Sequence, residues 1–349
     1  MDKRLIIGGI FLAIAIAALV GFKQYKMYLL PNVPADLKED IVNIPTGSDF
    51  EEVMAILVSQ GILRDSAGIS ALGFRVVAKR MNYIKNPMRA GRFRVKPGWS
   101  NVSLIRHLRS GQQETVKVVL NSERLPEDVA TVVSSFLEPD AQEFLAAFEN
   151  TELLQKMGYK PETLIALFIP NTYDFFWNTT PEVFLERMQK ENSRFWSQDN
   201  RLEKAKKLGL SPAEVYTLAS IIGKETNQNS EKPRMAGVYL NRLKQGILLQ
   251  ADPTAVFATR DFTTRRVLNY HTNFDSPYNT YKYLGLPPGP ISMASISSID
   301  AVLNAENHDY IFFCALGDGS GLHAFAETLS GHNRNARIYK ENLRKRGLR

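Results

Sequence analysis

Segment 211–226 (SPAEVYTLASIIGKET) holds the carboxylate whose position best suits acid–base chemistry, Glu225. Its first residues, Ser, Pro and Glu at the spacing of a capping box, predict the start of a helix. Leu218, Ile221 and Ile222 then recur at helical spacing. Glu225 follows them by seven, four and three residues, so it falls on the same apolar face of the predicted helix.

A carboxylate on a buried face is costly unless it is paired, hydrogen-bonded or protonated. Burial raises the pKa of such a group toward the range in which it can donate a proton near neutral pH. Glu225 is therefore a candidate acid–base residue; the alternative is that it ends the helix and pairs with a neighbour. Lys224, about a quarter-turn away, is predicted to be an ordinary solvated charge.

The loops after Glu225 bring together amides and aromatic rings. Planar amide groups suit the vicinal hydroxyls of sugars, and aromatic faces suit the apolar faces of sugar rings. The side chains that meet this description are Gln250, Tyr278, Asn279 and Tyr281. Their concentration in loops predicts a binding site. Each also has a structural interpretation: Asn279, for example, follows a Pro-Tyr pair and is typical of a turn.

Metal, thiol and nucleotide chemistry find little support in the sequence. The five His residues show no metal-ligand spacing, and no Gly-rich phosphate loop occurs. The single cysteine, Cys314, lies in the apolar run 310–316 and is interpreted as a small buried hydrophobe. We therefore predict neither a metal nor a cofactor.

With 349 residues, 44% hydrophobic and 23% charged, the chain has a globular composition and room for two or three domains. Residues 5–22 (LIIGGIFLAIAIAALVGF) form an uncharged run near the minimum length that spans a bilayer. Lys3 and Arg4 precede it and Lys23 and Lys26 follow it, so the charges alone do not decide its orientation. A short N-terminus most simply stays inside, which predicts an anchor over 1–24 with the rest of the chain outside the cytoplasm. A cleaved signal peptide is the alternative, but the run is long and a poor cleavage site follows it.

The rest of the chain predicts an α+β protein. A juxtamembrane linker is expected over 25–44, and a small α+β domain over 45–120. Within that domain, helices are expected over 48–58 and 67–83, and a strand over 91–95.

Residues 121–349 are predicted to form a second domain of mixed helical and β structure. It is expected to be mostly helical over 121–210 and to carry a hairpin of 310–316 with 322–326. The formal net charge is +7, and part of it lies in 337–349, a predicted basic amphipathic helix. That helix is either a solvated end or is attracted to an anionic surface, of lipid or of an acidic polymer. Nucleic acid is not expected as a partner.

Six motifs, in this order along the chain, resemble the YceG-like family, the membrane-anchored endolytic murein transglycosylases also described as MltG-like. They are 218–226 (LASIIGKET), 238–243 (VYLNRL), 249–254 (LQADPT), 278–281 (YNTY), 285–290 (GLPPGP) and 323–325 (HAF). The resemblance implies a membrane anchor, a LysM-like domain within 45–120 and a catalytic domain over 121–349. The family pattern reads Glu-Lys-Glu where this chain has Gly223, Lys224 and Glu225, and its second Glu is catalytic.

The resemblance implies cleavage of the β-1,4 bond between N-acetylmuramic acid and N-acetylglucosamine inside glycan strands, with Glu225 as the single carboxyl. Protonated Glu225 donates to the glycosidic oxygen. As a carboxylate it then accepts the proton of the muramic acid C6 hydroxyl, which attacks C1 and leaves a 1,6-anhydro end. Further implied substrate contacts are His323 and Asp252. Asp252 is interpreted either as an electrostatic helper of the oxocarbenium-like centre or as a helix cap.

The implied partners are peptidoglycan strands and the cytoplasmic membrane, with peptidoglycan synthases or division proteins expected for an enzyme that terminates nascent strands. Two other functions stay open from the residues. A hydrolase of the same polymer needs a second carboxylate or an ordered water, for which Asp252 is the nearby candidate. A membrane-tethered murein-binding protein needs no catalytic group. The product separates these functions, because they yield anhydro ends, reducing ends and intact strands respectively.

Overall fold

The computed structural model describes residues 3–63, 69–264 and 266–348. Its elements, in chain order, are α1 (Lys3–Tyr28), β1 (Ile41–Ile44), α2 (Phe50–Ser59), α3 (Ile69–Arg80), β2 (Gly91–Arg94), α4 (Asn101–Ser110), β3 (Thr115–Leu120), α5 (Pro126–Ser134), α6 (Ala141–Glu149), α7 (Thr151–Lys156), a 3₁₀ helix (Pro161–Leu167), β4 (Asn171–Phe176), α8 (Pro181–Ser197), α9 (Arg201–Leu208), α10 (Pro212–Glu225), α11 (Lys232–Gln245), α12 (Asp252–Thr259), α13 (Asn269–Asn273), α14 (Ile296–Leu303), β5 (Phe312–Ala315), β6 (His323–Ala326) and α15 (Leu329–Lys345). The chain is therefore of the α+β class.

The chain divides into two compact units. The ranges of the first unit are Met1–Lys117, Phe136–Glu138 and Asp174–Thr179. The second unit contains Val118–Ser135, Pro139–Tyr173 and Thr180–Arg349. The division near residue 117 lies close to the predicted domain boundary, but two short later segments also belong to the first unit.

Helix α1 is the apolar helix of the first unit. Its segment Ile6–Tyr28 has a mean hydropathy of 2.3 and is the only stretch of the described residues long and apolar enough to cross a membrane. Its last turns contact α3, where Arg80 donates to Tyr28 and Gln24 at 3.0 Å. The first unit thus has an N-terminal apolar helix of spanning length whose C-terminal end packs on α3.

Strands β1 and β2 form an antiparallel pair in the first unit, with Ile41 opposite Arg94 and Ile44 opposite Gly91. Val42 and Ile44 are fully buried, because a strand places alternate side chains on the core face. The interpretation of 25–44 as a linker is therefore wrong at both ends, since α1 extends to Tyr28 and β1 is part of the core. The helix predicted over 67–83 is α3, and residues 64–68 lie outside the described ones.

Helix α10 is the central helix of the second unit. It begins with the expected capping box: the Ser211 hydroxyl accepts from the Glu214 backbone N–H at 3.3 Å, and the Glu214 carboxylate accepts from the Ser211 N–H at 2.8 Å. Every residue over 215–222 is buried, because α9, α11, α12, α14 and the 3₁₀ helix surround this part of α10. The sequence predicted one apolar face, whereas the structure shows a helix buried on all sides over 215–222. Its last residue, Glu225, lines a cavity.

The glycine-proline segment 285–290 is held against other elements of the second unit. Just after it, the Ile291 N–H donates to the Ser220 hydroxyl of α10 at 3.1 Å. Gly289 lies so close to the 3₁₀ helix that a Cβ built on it would be 1.8 Å from the Glu162 carbonyl oxygen. Only glycine permits this close approach of two backbones.

The predicted hairpin forms from β5 and β6, with Phe312 opposite Ala326 and Ala315 opposite His323. Helix α15 packs on both strands. It begins at Leu329, eight residues before the predicted basic helix, and its arginine side chains are exposed.

Candidate active site

Glu225 is the last residue of α10, and its side chain is partly buried. Its Oε1 accepts a hydrogen bond from the hydroxyl of Tyr239 at 2.8 Å. Tyr239 lies on α11, is 1% exposed, and packs edge-on against the ring of Phe313 at 5.7 Å. Glu225 therefore ends the helix and pairs with a neighbour, as in the alternative interpretation, but its partner is a neutral hydroxyl. No lysine or arginine among the described residues forms an ion pair with it.

Burial raises the pKa of Glu225 to about 7. The hydrogen bond from Tyr239 opposes this effect, the negative charge of Asp252 adds to it, and the positive charge of Arg242 opposes it. A carboxyl with this pKa populates both its protonated and its ionised form at neutral pH. It is therefore suited to donate and then accept a proton in one reaction.

Arg242 is buried on α11, three residues after Tyr239. Its Nε donates to the Ile311 carbonyl at 2.6 Å, and its Nη1 donates to the carbonyls of Leu249 and Leu248 at 2.8 and 3.2 Å. The guanidinium is held in place by backbone acceptors and places a fixed positive charge near Glu225.

Asp252 is the exposed first residue of α12, and its Oδ1 accepts from the hydroxyl of Tyr281. The cap position of α12 is Ala251, which makes no side-chain cap hydrogen bond. The interpretation of Asp252 as a helix cap is therefore wrong. Its carboxylate instead lies near enough to Glu225 to raise the pKa of that group.

Two cavities meet at these two carboxylates. The first, of about 540 Å³, is lined by Arg124, Lys224, Glu225, Asp252, Pro253, Val256, Phe257, Phe262, Thr264, Arg266, Val267 and Ile291. The second, of about 390 Å³, is lined by Glu225, Arg242, Leu249, Gln250, Asp252, Tyr281, Phe312, Phe313, Leu329 and His332. Because Glu225 and Asp252 belong to both walls, a ligand that fills both cavities passes over the candidate acid.

A comparison with protein families identifies the chain. The model of the YceG-like family matches residues 42–338, which is most of its length. The chain belongs to the YceG-like family. This membership confirms the resemblance that the six sequence motifs carry.

This YceG-like chain is similar to proteins named endolytic murein transglycosylase. The relative from Bacillus subtilis (strain 168) is 27% identical over 347 residues, which are 95% of this chain and 90% of the relative. The relative from Streptococcus pneumoniae serotype 2 is 27% identical over 357 residues, which are 93% of this chain and 63% of the relative. This chain therefore spans less than two thirds of the pneumococcal protein.

A solved structure has the same fold. The crystal structure of a YceG-like protein from Listeria monocytogenes superposes with a TM-score of 0.55 at 26% identity. The match covers 84% of this chain and 97% of the Listeria chain. Both sequence and fold thus place the chain in one family over most of its length.

The structure brings Gln250 and Tyr281 together in the second cavity of the YceG-like chain. Gln250 is exposed with a left-handed backbone (φ 50°), and its N–H donates to the Thr280 carbonyl at 3.0 Å. Tyr281 is half-buried, and its hydroxyl reaches Asp252. Both side chains line the cavity beside Glu225.

The structure does not bring Asn279 to either cavity. Asn279 is fully buried, its Nδ2 donates to the carbonyls of His271, Thr272 and Phe274 at 2.7 to 3.1 Å, and its Oδ1 accepts from the Tyr281 N–H. These bonds use both amide hydrogens and the amide oxygen. The prediction of a sugar contact does not fit this position, and Asn279 instead shapes the loop that carries Tyr281.

Tyr278 and His323 also lie outside both cavity walls. Tyr278 supports the first cavity, since its ring is 4.8 Å from the ring of the lining residue Phe257. His323 is paired with buried Glu231, whose carboxylate accepts from the His323 N–H at 2.7 Å and lies 3.1 Å from its Nδ1. In this geometry neither residue is placed to touch a ligand in the cavities.

Sequence reasoning missed part of the site. Tyr239 and Arg242 lie within the motif 238–243 but were not predicted as site residues, although their separation by three residues puts them on one helical face. Lys224 is exposed, as expected of a solvated charge, but it also lines the first cavity, which the sequence did not indicate. Within residues 3–63, 69–264 and 266–348, no group of three or more His, Cys, Asp or Glu side chains is arranged to hold a metal ion.

Proposed function

We propose that this chain is a lytic transglycosylase that cleaves the β-1,4 bond between N-acetylmuramic acid and N-acetylglucosamine inside peptidoglycan strands and leaves 1,6-anhydro ends. The observation that carries the proposal is Glu225, whose pKa burial raises to about 7 and which lies where two cavities meet. Cavities on both sides of the acid suit cleavage within a strand. The names of the relatives from Bacillus subtilis and Streptococcus pneumoniae support the substrate class.

In the proposed reaction, protonated Glu225 donates its proton to the glycosidic oxygen as the bond to C1 of the muramyl residue breaks. The resulting carboxylate then accepts the proton of the muramyl C6 hydroxyl while that oxygen bonds to C1. Glu225 ends protonated as it began, and no water enters. Tyr239 and Arg242 stabilise the ionised form between the two transfers, whereas burial favours the protonated form that the C6 hydroxyl proton restores.

Asp252 is proposed as the electrostatic helper. Its carboxylate lies beside Glu225 at the junction of the cavities, where it can stabilise positive charge that develops at C1. The same position is the observation that favours a second candidate, a muramidase, since a second carboxylate near the acid could direct a water molecule to C1.

The product distinguishes the two reactions. We expect the full-length protein in detergent, incubated with purified sacculi, to release fragments with anhydromuramyl ends, identified by mass spectrometry. Reducing muramyl ends in place of anhydro ends would support the muramidase. Intact strands that co-sediment with the protein would support a murein-binding protein.

We further propose that α1 anchors the protein once in the cytoplasmic membrane, with all residues after it outside the cytoplasm, and that the first unit contains the LysM-like, murein-binding domain. An enzyme so placed can end the growth of nascent strands beside peptidoglycan synthases or division proteins. The run of apolar residues and the flanking Lys3 and Arg4 support the orientation. A reporter that works only in the cytoplasm, fused after Arg349, should stay silent; an active reporter would contradict this topology.

A further inference from the structure

Three cations line the first cavity: Arg124, Lys224 and Arg266. None of them forms an ion pair with a carboxylate in the described part of the chain. The Arg124 guanidinium lies 4.1 Å from the centre of the Phe262 ring, which orients it without neutralising it. Burial and the positive charge of Arg124 both lower the pKa of Lys224, so these two cations repel each other across the cavity.

Three other arginines of the second unit have partners. Arg242 donates to three backbone carbonyls, Arg201 pairs with Asp300 at 2.9 Å, and Arg260 lies 3.6 Å from Glu127. The carboxylates in the same wall are Glu225, which is partly protonated at neutral pH, and Asp252, which accepts a hydrogen bond from Tyr281. Neighbouring like charges without partners are unfavourable in the empty protein, and an anionic ligand removes that cost.

Resting on the proposed function, we propose that the first cavity binds the carboxylates of the peptide stem carried by a muramyl residue, so that the enzyme selects stem-bearing strands. The sugar rings of murein are uncharged, and in a stem-bearing strand the lactyl carboxyl is consumed in the amide bond to the peptide. The negative charge of such a strand therefore lies on the peptide. A cavity of about 540 Å³ has room for a substituent beside a sugar ring, and its cations match that charge.

Two substrates test the inference: strands with their stems, and the same strands stripped of stems by an amidase, which leaves a carboxylate only on the lactyl group. For the wild-type protein we expect initial cleavage about tenfold faster on stem-bearing strands, as three partly exposed ion pairs would give. In the triple variant Arg124→Gln, Lys224→Gln, Arg266→Gln this ratio should fall to near one. The ratio is informative because any change in the pKa of Glu225 acts equally on both substrates.

A matched control removes three exposed cations that line neither cavity and form no ion pair among the described residues, with Arg194→Gln, Lys206→Gln and Lys244→Gln, and should keep the wild-type ratio. The single variants Arg124→Gln and Arg266→Gln should each lower the ratio roughly twofold, which tests the inference if the triple variant folds poorly.

Equal wild-type rates on the two substrates, or a triple variant that loses the same factor on both, would overturn the inference. Release of reducing ends would instead overturn the proposed transglycosylase. In that case the rate ratio, counted on reducing ends, would still decide whether the cavity selects the stem.

Discussion

The two cavities beside Glu225 differ in how their positive charge is held. In the first, Arg124, Lys224 and Arg266 have no carboxylate partner among the described residues. In the second, the one arginine, Arg242, is bound to backbone carbonyls, and the remaining wall is mainly aromatic and apolar. The two cavities therefore differ in what their positive charge can do. Arg242 lowers the pKa of Glu225, whereas the three cations of the first cavity are available to bind a ligand.

The electrostatics of Glu225 agree with this difference. The charged groups that shift its pKa are Asp252 and Arg242, and the three free cations of the first cavity are not among them. An enzyme can thus vary its affinity for an anionic substituent without changing the proton-transfer group. The predictions below test this difference.

The largest effect is expected from Glu225→Gln, which removes the group shared by both cavities. The variant should fold and still bind glycan strands, but it should lose at least ~10²–10⁴ of the rate, because glutamine cannot donate and then accept the proton. The release of anhydro ends measures the loss. Glu214→Gln, a capping residue of the same helix, is the control and should stay near the wild-type rate.

Glu225 should also make stability depend on pH. Its folded-state pKa of about 7 exceeds the ordinary value of 4.5, so the folded protein binds more protons than the unfolded chain between these values. Wild-type stability should therefore fall, relative to Glu225→Gln, as the pH rises from about 4.5 through about 7. A constant difference between the two proteins in urea titrations would contradict the raised pKa.

Two variants should shift the alkaline limb of the pH–rate profile in opposite directions. At a fixed pH, each should change kcat/KM by roughly tenfold or less. Asp252→Asn removes a negative charge that raises the pKa of Glu225, so the limb should move to lower pH. Tyr239→Phe removes a hydrogen bond that lowers this pKa, so the limb should move to higher pH. Profiles of kcat/KM against pH measure both; shifts in the same direction would refute the electrostatic account.

Phe312→Ala sharpens the contrast between the cavities. The half-exposed ring lies in the second cavity, 5.3 Å from the ring of His332, and its loss should remove a contact with a sugar face. We expect kcat/KM to fall about fivefold on stem-bearing and stripped strands alike, since an aromatic contact contributes about 1 kcal/mol. The loss should not depend on salt. A fall in kcat/KM on stem-bearing strands alone would mean that the second cavity also contacts the peptide stem.

Asn279→Ala should have the smallest effect on catalysis. It removes an amide that satisfies three backbone carbonyls, so we expect a loss of about 1–3 kcal/mol in the free energy of unfolding. Turnover per folded molecule should stay near normal. Urea denaturation and active-fraction assays measure the two quantities, with Asn273→Ala, an exposed residue at the end of α13, as the control. Normal stability together with lost turnover would instead support the interpretation of Asn279 as a glycan contact.

Helical periodicity predicted α10 and the position of Glu225, because capping residues and apolar spacing are local signals. It could not show Tyr239 as the partner of Glu225, since that contact joins two helices. Residue type made Asn279 a sugar-binding candidate, yet type alone does not report burial. Strand β1 was missed because four residues give too short an alternation, and its pairing with β2 is not a local property.

Glu225 occupies the last position of α10, and this placement has an electrostatic consequence of its own. The carbonyl groups of a final helical turn sum to a partial negative charge of about half an electron. A carboxylate at that end meets a dipole that opposes its ionisation, in the same direction as burial and Asp252. The direction of the helix alone thus favours a proton on the acid before any strand arrives, whichever residues line the cavities around it.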